Sequence, residues 1–344
     1  MKKFLNTLFV TTQGAYLFKD GQTVAIKVNN QVKMRIPVHT IGGIICFGQV
    51  SCSPYLMGFC SENNVSISFL TENGRFLAKV QGPVSGNVLL RRQQYRMADD
   101  STASVQIAAS CIIGKISNSN TVLKRAIRDH GEKIDADSLE HVAGRLGQYL
   151  NKDLLHDNDL DKIRGIEGDS AHLYFSVFDH LVLDQKEVFI FRGRNRRPPL
   201  DNMNCLLSFL YTILSHDVRS AIEAVGLDPA VGFLHRDRPG RYGLALDLME
   251  EFRPFIADRL ALSLINRKQL KGDGFVKKES GAVLMDDETR KTVLSAYQKK
   301  KQETIMHPFI NEKIDVGALF FIQALLLARH IRGDIDGYPP FIWK

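Results

Sequence analysis

The chain has 344 residues, of which 44% are hydrophobic and 24% are charged, as in ordinary globular proteins. This length favours two domains and excludes a peptide, a tail or a disordered linker. The 45 Lys and Arg residues exceed the 38 Asp and Glu residues by seven, so the net charge of +7 favours a polyanionic partner without identifying one.

The five cysteines include no Cys-x-x-Cys pair, which indicates buried apolar thiols and not a zinc or redox motif. In the first 14 residues, Asn6, Thr7 and Thr11 interrupt the apolar stretch and no cleavage site follows, so no export signal is expected. The longest apolar stretch, residues 316–328, contains Gln323 and is shorter than the roughly 20 residues of a membrane helix. We therefore expect a cytoplasmic protein without a membrane partner.

Residues 7–80 alternate short β-rich runs with turn residues, which predicts an all-β unit. Asp20-Gly21 and Asn73-Gly74 separate such runs, and these dipeptides are typical of tight hairpin turns. Within this unit, residues 54–63 have helical spacing and predict a single crossover helix.

The pattern changes after Arg96, where the small and polar residues 97–104 are followed by helical spacing along most of the chain. We therefore predict an α+β protein with an N-terminal all-β domain over residues 1–98 and a larger all-α catalytic domain over residues 105–344. The basic, glycine-containing residues 268–280 predict a mobile loop or a small hairpin. Helices are predicted over residues 138–149, 168–181, 202–224, 244–266, 286–301 and 316–331.

Glu167 is the first candidate for chemistry. It shares a helical face with Ala171, Tyr174 and Phe178, at offsets of 0, 4, 7 and 11. A carboxylate on such a face must be paired, protonated or bound to a metal if it is buried, because desolvating a lone charge is costly. The alternative is a Glu that only favours the N-terminal dipole of its helix.

A second candidate segment places His235 before an Arg-rich turn and a helix that carries Asp247 and Glu250 three residues apart. Imidazole and carboxylate groups together suit manganese, and carboxylate oxygens suit magnesium, so the spacing permits a shared ion. The alternative is that these acids form the solvated face of the helix and that His235 is structural.

Arginines form the third candidate set. Four lie within residues 192–197, and more follow His235. Guanidinium groups bind phosphate well, although solvated loops that pair with nearby acids have the same composition. The candidate nucleic-acid-binding residues are Arg192, Arg194, Arg196, Arg238 and Arg241.

Three sequence blocks, GIEGDSAHLYF, RRPPLDNMNCLLSFLYTIL and GLDPAVGFLHRDRPGRYGLALDLMEEFRP, occur in this order. In these blocks and along its whole length the chain resembles the CRISPR-associated integrase family, also called the CRISPR-associated endonuclease, which installs new spacers. The resemblance implies a β domain followed by a helical domain, a homodimer, and a complex with the small second Cas adaptation protein. The β domain is the candidate dimer surface, and the length and block spellings look most like the type I-C branch.

The resemblance also implies that Glu167, His235 and Glu250 are catalytic and bind Mg²⁺ or Mn²⁺, with Asp247 as an additional acidic ligand. Some family members carry aspartate where this chain has Glu250, and the longer side chain extends the reach to the metal.

The implied reaction is phosphoryl transfer on double-stranded DNA, in which a 3′-hydroxyl of a short duplex attacks a phosphodiester at the repeat boundary of a CRISPR array. Two alternatives stay open. One is a metal-dependent, structure-specific nuclease without a role in integration, and the other is a non-catalytic nucleic-acid-binding scaffold.

Overall fold

The computed structural model describes residues 7–63, 65–72, 76–80, 82, 88–150 and 159–343. Its N-terminal part consists of two four-stranded sheets, ordered β1-β5-β7-β8 and β4-β3-β2-β6. The Asp20-Gly21 turn joins β2 to β3 as predicted, whereas Asn73 and Gly74 lie outside the described residues. The strands are β1 (Thr7–Val10), β2 (Tyr16–Asp20), β3 (Thr23–Val28), β4 (Gln31–Pro37), β5 (Gly43–Phe47), β6 (Ser51–Cys52), β7 (Ser66–Leu70) and β8 (Phe76–Val80).

The predicted crossover helix is α1 (Pro54–Glu62), which Ser53 caps by accepting a hydrogen bond from the Leu56 N–H. It packs against β2 and β7, and its apolar side shares a core with both sheets. Strands β1, β5 and β7 run parallel, so the chain must cross over between them. The N-terminal part therefore contains β strands and one helix, as the spacing of residues 54–63 predicted.

Helices dominate the remainder of the chain. The long helix α3 runs through the middle of the larger core, where its buried side chains meet those of the surrounding helices. The helices are α2 (Val88–Asp99), α3 (Ser101–His130), α4 (Ala136–Gln148), α5 (Leu160–Ser176), α6 (Asn202–Ala224), α7 (Gly243–Met249), α8 (Arg259–Asn266), α9 (Asp287–Lys301) and α10 (Val316–Arg332).

The all-α prediction for this part is wrong in one respect, because two short antiparallel hairpins interrupt the helices. Strands β9 (Phe275–Lys277) and β10 (Val283–Met285) form the first hairpin, which is one of the two structures predicted for the basic segment. Strands β11 (Thr304–Met306) and β12 (Lys313–Asp315) form the second.

The predicted domain boundary falls on a junction between two helices. Asp100 interrupts the helical backbone between α2 and α3, and its side chain accepts hydrogen bonds from the N–H groups of Thr102 and Ala103. Helix α2 packs on α3 and α10, so its contacts join it to the helical part. The division into residues 1–98 and 105–344 stays a prediction.

The prediction of one continuous helix over residues 244–266 is wrong. Helix α7 ends at Met249, and a wide π-type turn over Arg253–Asp258 separates it from α8. Pro254 lies at the start of this turn, where its missing N–H prevents a regular helical hydrogen bond. The two acidic residues that follow Met249, Glu250 and Glu251, are buried at this break.

Within the described ranges, no helix combines the length and the apolar character needed to cross a bilayer.

Candidate active site

His235 is held in place by Asp247. The Nδ1 atom of His235 lies 2.6 Å from Oδ1 of Asp247, which is fully buried. The same carboxylate accepts hydrogen bonds from the backbone N–H groups of Phe233, Leu234 and His235, at 2.6, 3.0 and 3.0 Å. When Nδ1 donates to Asp247, the lone pair of Nε2 is free to bind a cation.

Two glycines allow this loop to approach α7. A Cβ atom on Gly232 would lie 2.7 Å from the backbone of Gly243 and 2.8 Å from Oδ2 of Asp247. A Cβ atom on Gly243 would lie 2.9 Å from the carbonyl oxygen of Ala230. Any larger residue at either position would push the His235 loop away from Asp247.

Glu167 and Glu250 meet around the ammonium group of Lys115. Lys115 lies on α3, Glu167 on α5, and Glu250 directly after α7. Nζ of Lys115 forms an ion pair with Oε1 of Glu167 and lies 2.9 Å from Oε2 of Glu250. Three distant segments therefore bring their charges to one point.

Glu250 is 1% exposed and lies against a second cation, Arg253, whose Nη2 is 3.1 Å from Oε1. Burial alone would raise the pKa of Glu250, but the positive charges of Arg253 and Lys115 outweigh it and lower that pKa below its usual value. His235 also contributes to this lowering when it is protonated, which places the imidazole near the same carboxylate. Glu250 is thus held as a buried carboxylate.

The chemistry of this donor set suits a divalent cation, which supports the predicted role of Glu167, His235 and Glu250. In the described residues, Oε2 of Glu250 makes no hydrogen bond of regular geometry, although Lys115 lies beside it. The two carboxylates already surround one positive group. No three His, Cys, Asp or Glu side chains of the described ranges converge as a ready-made cage, and Lys115 stands between the two acids.

The geometry favours a different role for Asp247 from that of a fourth ligand. Its two oxygens together accept from three backbone N–H groups and the His235 ring. A carboxylate with this many partners orients the imidazole and fixes its tautomer. The alternative of a solvated acidic face is excluded, since Asp247, Glu250, Glu251 and Asp258 are all buried.

Residues 338–343, which we call the strap, contact Glu251, the residue next to Glu250. Burial raises the pKa of Glu251 to about 8, although hydrogen bonds from the hydroxyl of Tyr338, the backbone N–H of Phe341 and the amide of Gln323 oppose this increase. Asn118 donates to the carbonyl oxygens of Glu251 and Phe341, at 2.7 and 2.9 Å. Glu251 and its neighbour Glu250 are thus fastened to α3 and to the strap.

The predicted phosphate-binding arginines divide into two groups. Arg196 and Arg238 are exposed, and their charges, together with that of Arg197, act on the half-buried Arg241, whose pKa is lowered first by desolvation and then by this repulsion. The two arginine segments therefore converge on one surface near His235. Arg192 is also exposed, and among the described residues it makes no hydrogen bond or ion pair with this group.

Arg194 is held by contacts within the protein. Its guanidinium group donates to the side chain of Asn204 and lies over the ring of Tyr211, 5.1 Å from its centroid. Desolvation lowers the pKa of Arg194, as expected of a largely buried guanidinium. These contacts brace the loop that carries the other arginines, and a DNA contact for Arg194 stays a prediction.

Sequence reasoning missed Lys115 and Arg253. A signal for Lys115 existed, because Ala108, Cys111, Lys115, Asn118 and Val122 follow each other at helical offsets of 0, 3, 7, 10 and 14 and all five are buried. A lysine within such a stripe requires a buried anion. Its two partners come from segments that only the tertiary fold brings near.

A family model described as CRISPR associated protein Cas1 matches residues 8–299. The chain is 56% identical to a CRISPR-associated endonuclease Cas1 of Chlorobaculum tepidum and 52% identical to one of Rhodospirillum rubrum, and each comparison covers 100% of both proteins.

Solved structures show the same fold at lower identity. A Cas1 protein from Thermotoga maritima has a TM-score of 0.80 at 24% identity, covering 98% of this chain and 100% of that one. A casposase bound to its integration product has a TM-score of 0.83 at 24% identity, covering 98% of this chain and 94% of the other. At these identities the likeness concerns the fold alone.

Proposed function

The chain belongs to the Cas1 family of CRISPR-associated proteins, and from this membership we infer that it is a DNA endonuclease and integrase that inserts short duplexes into a CRISPR array. The structural observation that carries the proposal is that Glu167 and Glu250 meet around Lys115, with the Asp247-oriented His235 near the same Glu250 carboxylate. This arrangement favours an enzyme over a scaffold, because a purely structural acidic cluster does not need an oriented imidazole.

Glu167, Glu250 and Nε2 of His235 would hold Mg²⁺ or Mn²⁺. A cation bound by these residues supplies charge neutralisation for the attacked phosphate and lowers the pKa of a hydroxyl group beside it. Asp247 keeps the His235 ring in the tautomer that leaves Nε2 unprotonated, and Arg253 holds Glu250 in its orientation.

The exposed arginines of the two converging segments bind the DNA backbone. The charges of Arg196, Arg197 and Arg238 repel that of Arg241, so an anion bound among them would relieve that repulsion. Their place beside the His235 turn directs a bound phosphodiester toward the proposed cation site.

The nucleophile comes from the substrate. Around Glu250 the chain provides carboxylates, an imidazole and two cationic side chains, which pair with one another and suit the binding of a cation and a phosphate better than nucleophilic attack on DNA. A 3′-hydroxyl of the incoming duplex attacks the array phosphodiester in integration. Water attacks in the endonuclease reaction, with the same protein groups in place.

The assembly follows from the family. One solved relative of the same fold is a Cas6-RT-Cas1–Cas2 complex, at 21% identity and a TM-score of 0.81. We assign to this chain a homodimer and a small second Cas adaptation protein as partners. The β4 edge strand supports the N-terminal part as a dimer surface, because Val32 and Met34 are 39% and 51% exposed there. Length and block spellings support the type I-C branch.

The proposal is tested by incubating the protein, its small adaptation partner and Mn²⁺ with a supercoiled plasmid that carries the repeat and with a short labelled duplex. We expect the label to become joined to the plasmid. Duplex with 3′-dideoxy ends should give no joined product, because the attacking hydroxyl is absent.

Joining that continues with blocked 3′ ends, or a protein–DNA adduct that survives denaturation, would contradict transesterification by a DNA hydroxyl. Cleavage of the plasmid without joining would favour the nuclease alternative. DNA binding that is indifferent to divalent cations and changes no phosphodiester would favour the scaffold.

A further inference from the structure

Lys115 is a cation in the place where a metal ion is expected. Its side chain is only 10% exposed, and its ammonium group contacts both Glu167 and Glu250. The two carboxylates are far apart in sequence, since Glu167 lies on α5 and Glu250 directly after α7. Two carboxylates repel each other at short range, so a positive group must hold them together.

The charges around the site leave an excess of one negative charge. Glu167, Glu250 and Asp247 carry three carboxylates, against the two cations Lys115 and Arg253. Of these carboxylates, Arg253 forms an ion pair with Glu250, through Oε1, whereas Lys115 forms ion pairs with both candidate ligands. The Lys115 ammonium group therefore occupies the gap between the Glu167 and Glu250 carboxylates.

We propose that Lys115 is a positioning residue that holds Glu167 and Glu250 together before a divalent cation binds, and that its ammonium group leaves this gap when the cation enters. The inference rests on the proposed metal centre. Lys115 then has two opposing effects, because it prearranges the ligands but competes with the cation for them. In the free protein it also keeps the buried Glu250 carboxylate and the half-buried Glu167 carboxylate from destabilising the fold.

The competition predicts that removing the charge tightens cation binding. Mn²⁺ is titrated calorimetrically into the full chain without DNA, with wild type and Lys115→Met compared. We expect Lys115→Met to bind Mn²⁺ at least about tenfold more tightly, because one positive charge within hydrogen-bonding distance of both ligands is lost. Lys115→Met should also melt at a lower temperature without Mn²⁺ and show a larger upward shift when Mn²⁺ is added than wild type does.

Lys79 provides a matched control. The Lys79 and Glu223 side chains are 11% and 28% exposed, against 10% and 29% for Lys115 and Glu167, but the first pair lies on β8 and α6. Lys79→Met should lower the melting temperature as well, without changing Mn²⁺ affinity or the Mn²⁺-induced shift. A second variant, Lys115→Arg, keeps the charge and should bind Mn²⁺ within a few-fold of wild type.

Unchanged or weaker Mn²⁺ binding in Lys115→Met would overturn the inference, as would an equal tightening in Lys79→Met. If Lys115→Met does not fold, Lys115→Gln and Lys115→Arg are compared instead. Tighter Mn²⁺ binding by Lys115→Gln than by Lys115→Arg would support the inference, and equal or weaker binding would overturn it. Failure of the metal centre itself looks different. In that case wild type and Glu250→Gln bind Mn²⁺ equally, whatever residue stands at position 115.

Discussion

Lys115 and Lys79 occupy two buried ionic clusters that differ in the sign of their excess charge. Lys115 lies between two carboxylates, and these raise its pKa above the usual value although burial acts against them. Lys79 shares Glu223 with Arg219, and burial together with the Arg219 charge lowers the pKa of Lys79 to about 7.

The difference shows how a cation site can be told from a structural ion pair. With Asp247 counted, the Lys115 cluster has three carboxylates against the two cations Lys115 and Arg253, so it still attracts positive charge. The Lys79 cluster joins β8 to α6 and has more cations than carboxylates around Glu223. The exposed fractions of each lysine and of its carboxylate partner are almost the same in the two places, so exposure alone does not identify the functional cluster.

The largest expected effect separates the two clusters by activity. Glu250→Gln should lower strand joining at least about 10³-fold, equivalent to about 4 kcal/mol in the barrier, because it removes a charged ligand of the proposed centre. Glu223→Gln removes the carboxylate of the other cluster and should leave joining within a few-fold of wild type. Joining rates are compared at saturating Mn²⁺, and equal losses in both variants would contradict the distinction.

A smaller effect is expected for the carboxylates that support each cluster. Asp247→Asn should cost about 10- to 100-fold in Mn²⁺ affinity, since the His235 ring loses the acceptor that fixes its tautomer. Asp217 accepts from Tyr297 and Lys301 far from the candidate site, at 2.9 and 2.8 Å. Asp217→Asn should reduce the free energy of unfolding and leave Mn²⁺ affinity unchanged, and calorimetry measures both variants.

The pH dependence of stability tests the positive excess charge of the Lys79 cluster, because its charges act on the neighbouring His216. Burial, followed by the charge of Arg219, lowers the pKa of His216 to about 4. The unfolded chain therefore binds a proton below pH ~6.5 that the folded chain does not, so this group makes stability fall as the pH decreases from ~6.5 to ~4. The expected loss is about 1 kcal/mol per pH unit between roughly pH 6 and pH 5.

His216→Gln should remove this dependence. Urea denaturation of wild type and variant at several pH values gives the difference between their free energies of unfolding, which cancels the contributions of other groups. A difference that does not change between pH 6 and pH 5 would show that His216 titrates normally in the folded protein.

The smallest effect concerns the arginines. Arg241→Ala should weaken DNA binding a few-fold and lower the slope of log affinity against log salt by about one, as for one lost phosphate contact. Arg194→Ala should instead lower the melting temperature and leave the slope unchanged, because Arg194 contacts Asn204 and Tyr211 inside the protein. Equal slopes for Arg241→Ala and wild type would remove Arg241 from the proposed DNA surface.

Local patterns predicted much of the fold. The α6 prediction over residues 202–224 matches Asn202–Ala224, because its apolar spacing is regular and Asp201 caps it by accepting from the Asn204 N–H. The domain boundary predicted at residues 97–104 coincides with the junction between α2 and α3. The polar composition of this segment reflects the capping of α3 by Asp100. The break after Met249 was missed because a heptad-like apolar pattern continues through Pro254.

The candidate site was only partly accessible from sequence. His235 and Asp247 lie 12 positions apart, so their contact could be anticipated from one segment. The Lys115–Glu167 contact spans 52 positions, and the choice of Arg194 as a DNA contact relied on composition alone. Long-range packing decides such contacts, and no local pattern encodes it.

The strap sets an order of events during synthesis. Phe341 donates to Glu251 across 90 positions of the chain, and Tyr338 does so across 87. The ribosome therefore completes α7 and Glu250 long before it makes the residues that fasten Glu251. Until then Glu251 lacks two of its hydrogen-bond donors. Burying a carboxyl group without these partners is unfavourable, so Glu251 is not yet held in its buried position. A nascent chain that has reached α10 but not the strap should thus hold an unfinished nuclease centre while the N-terminal sheets are already folded.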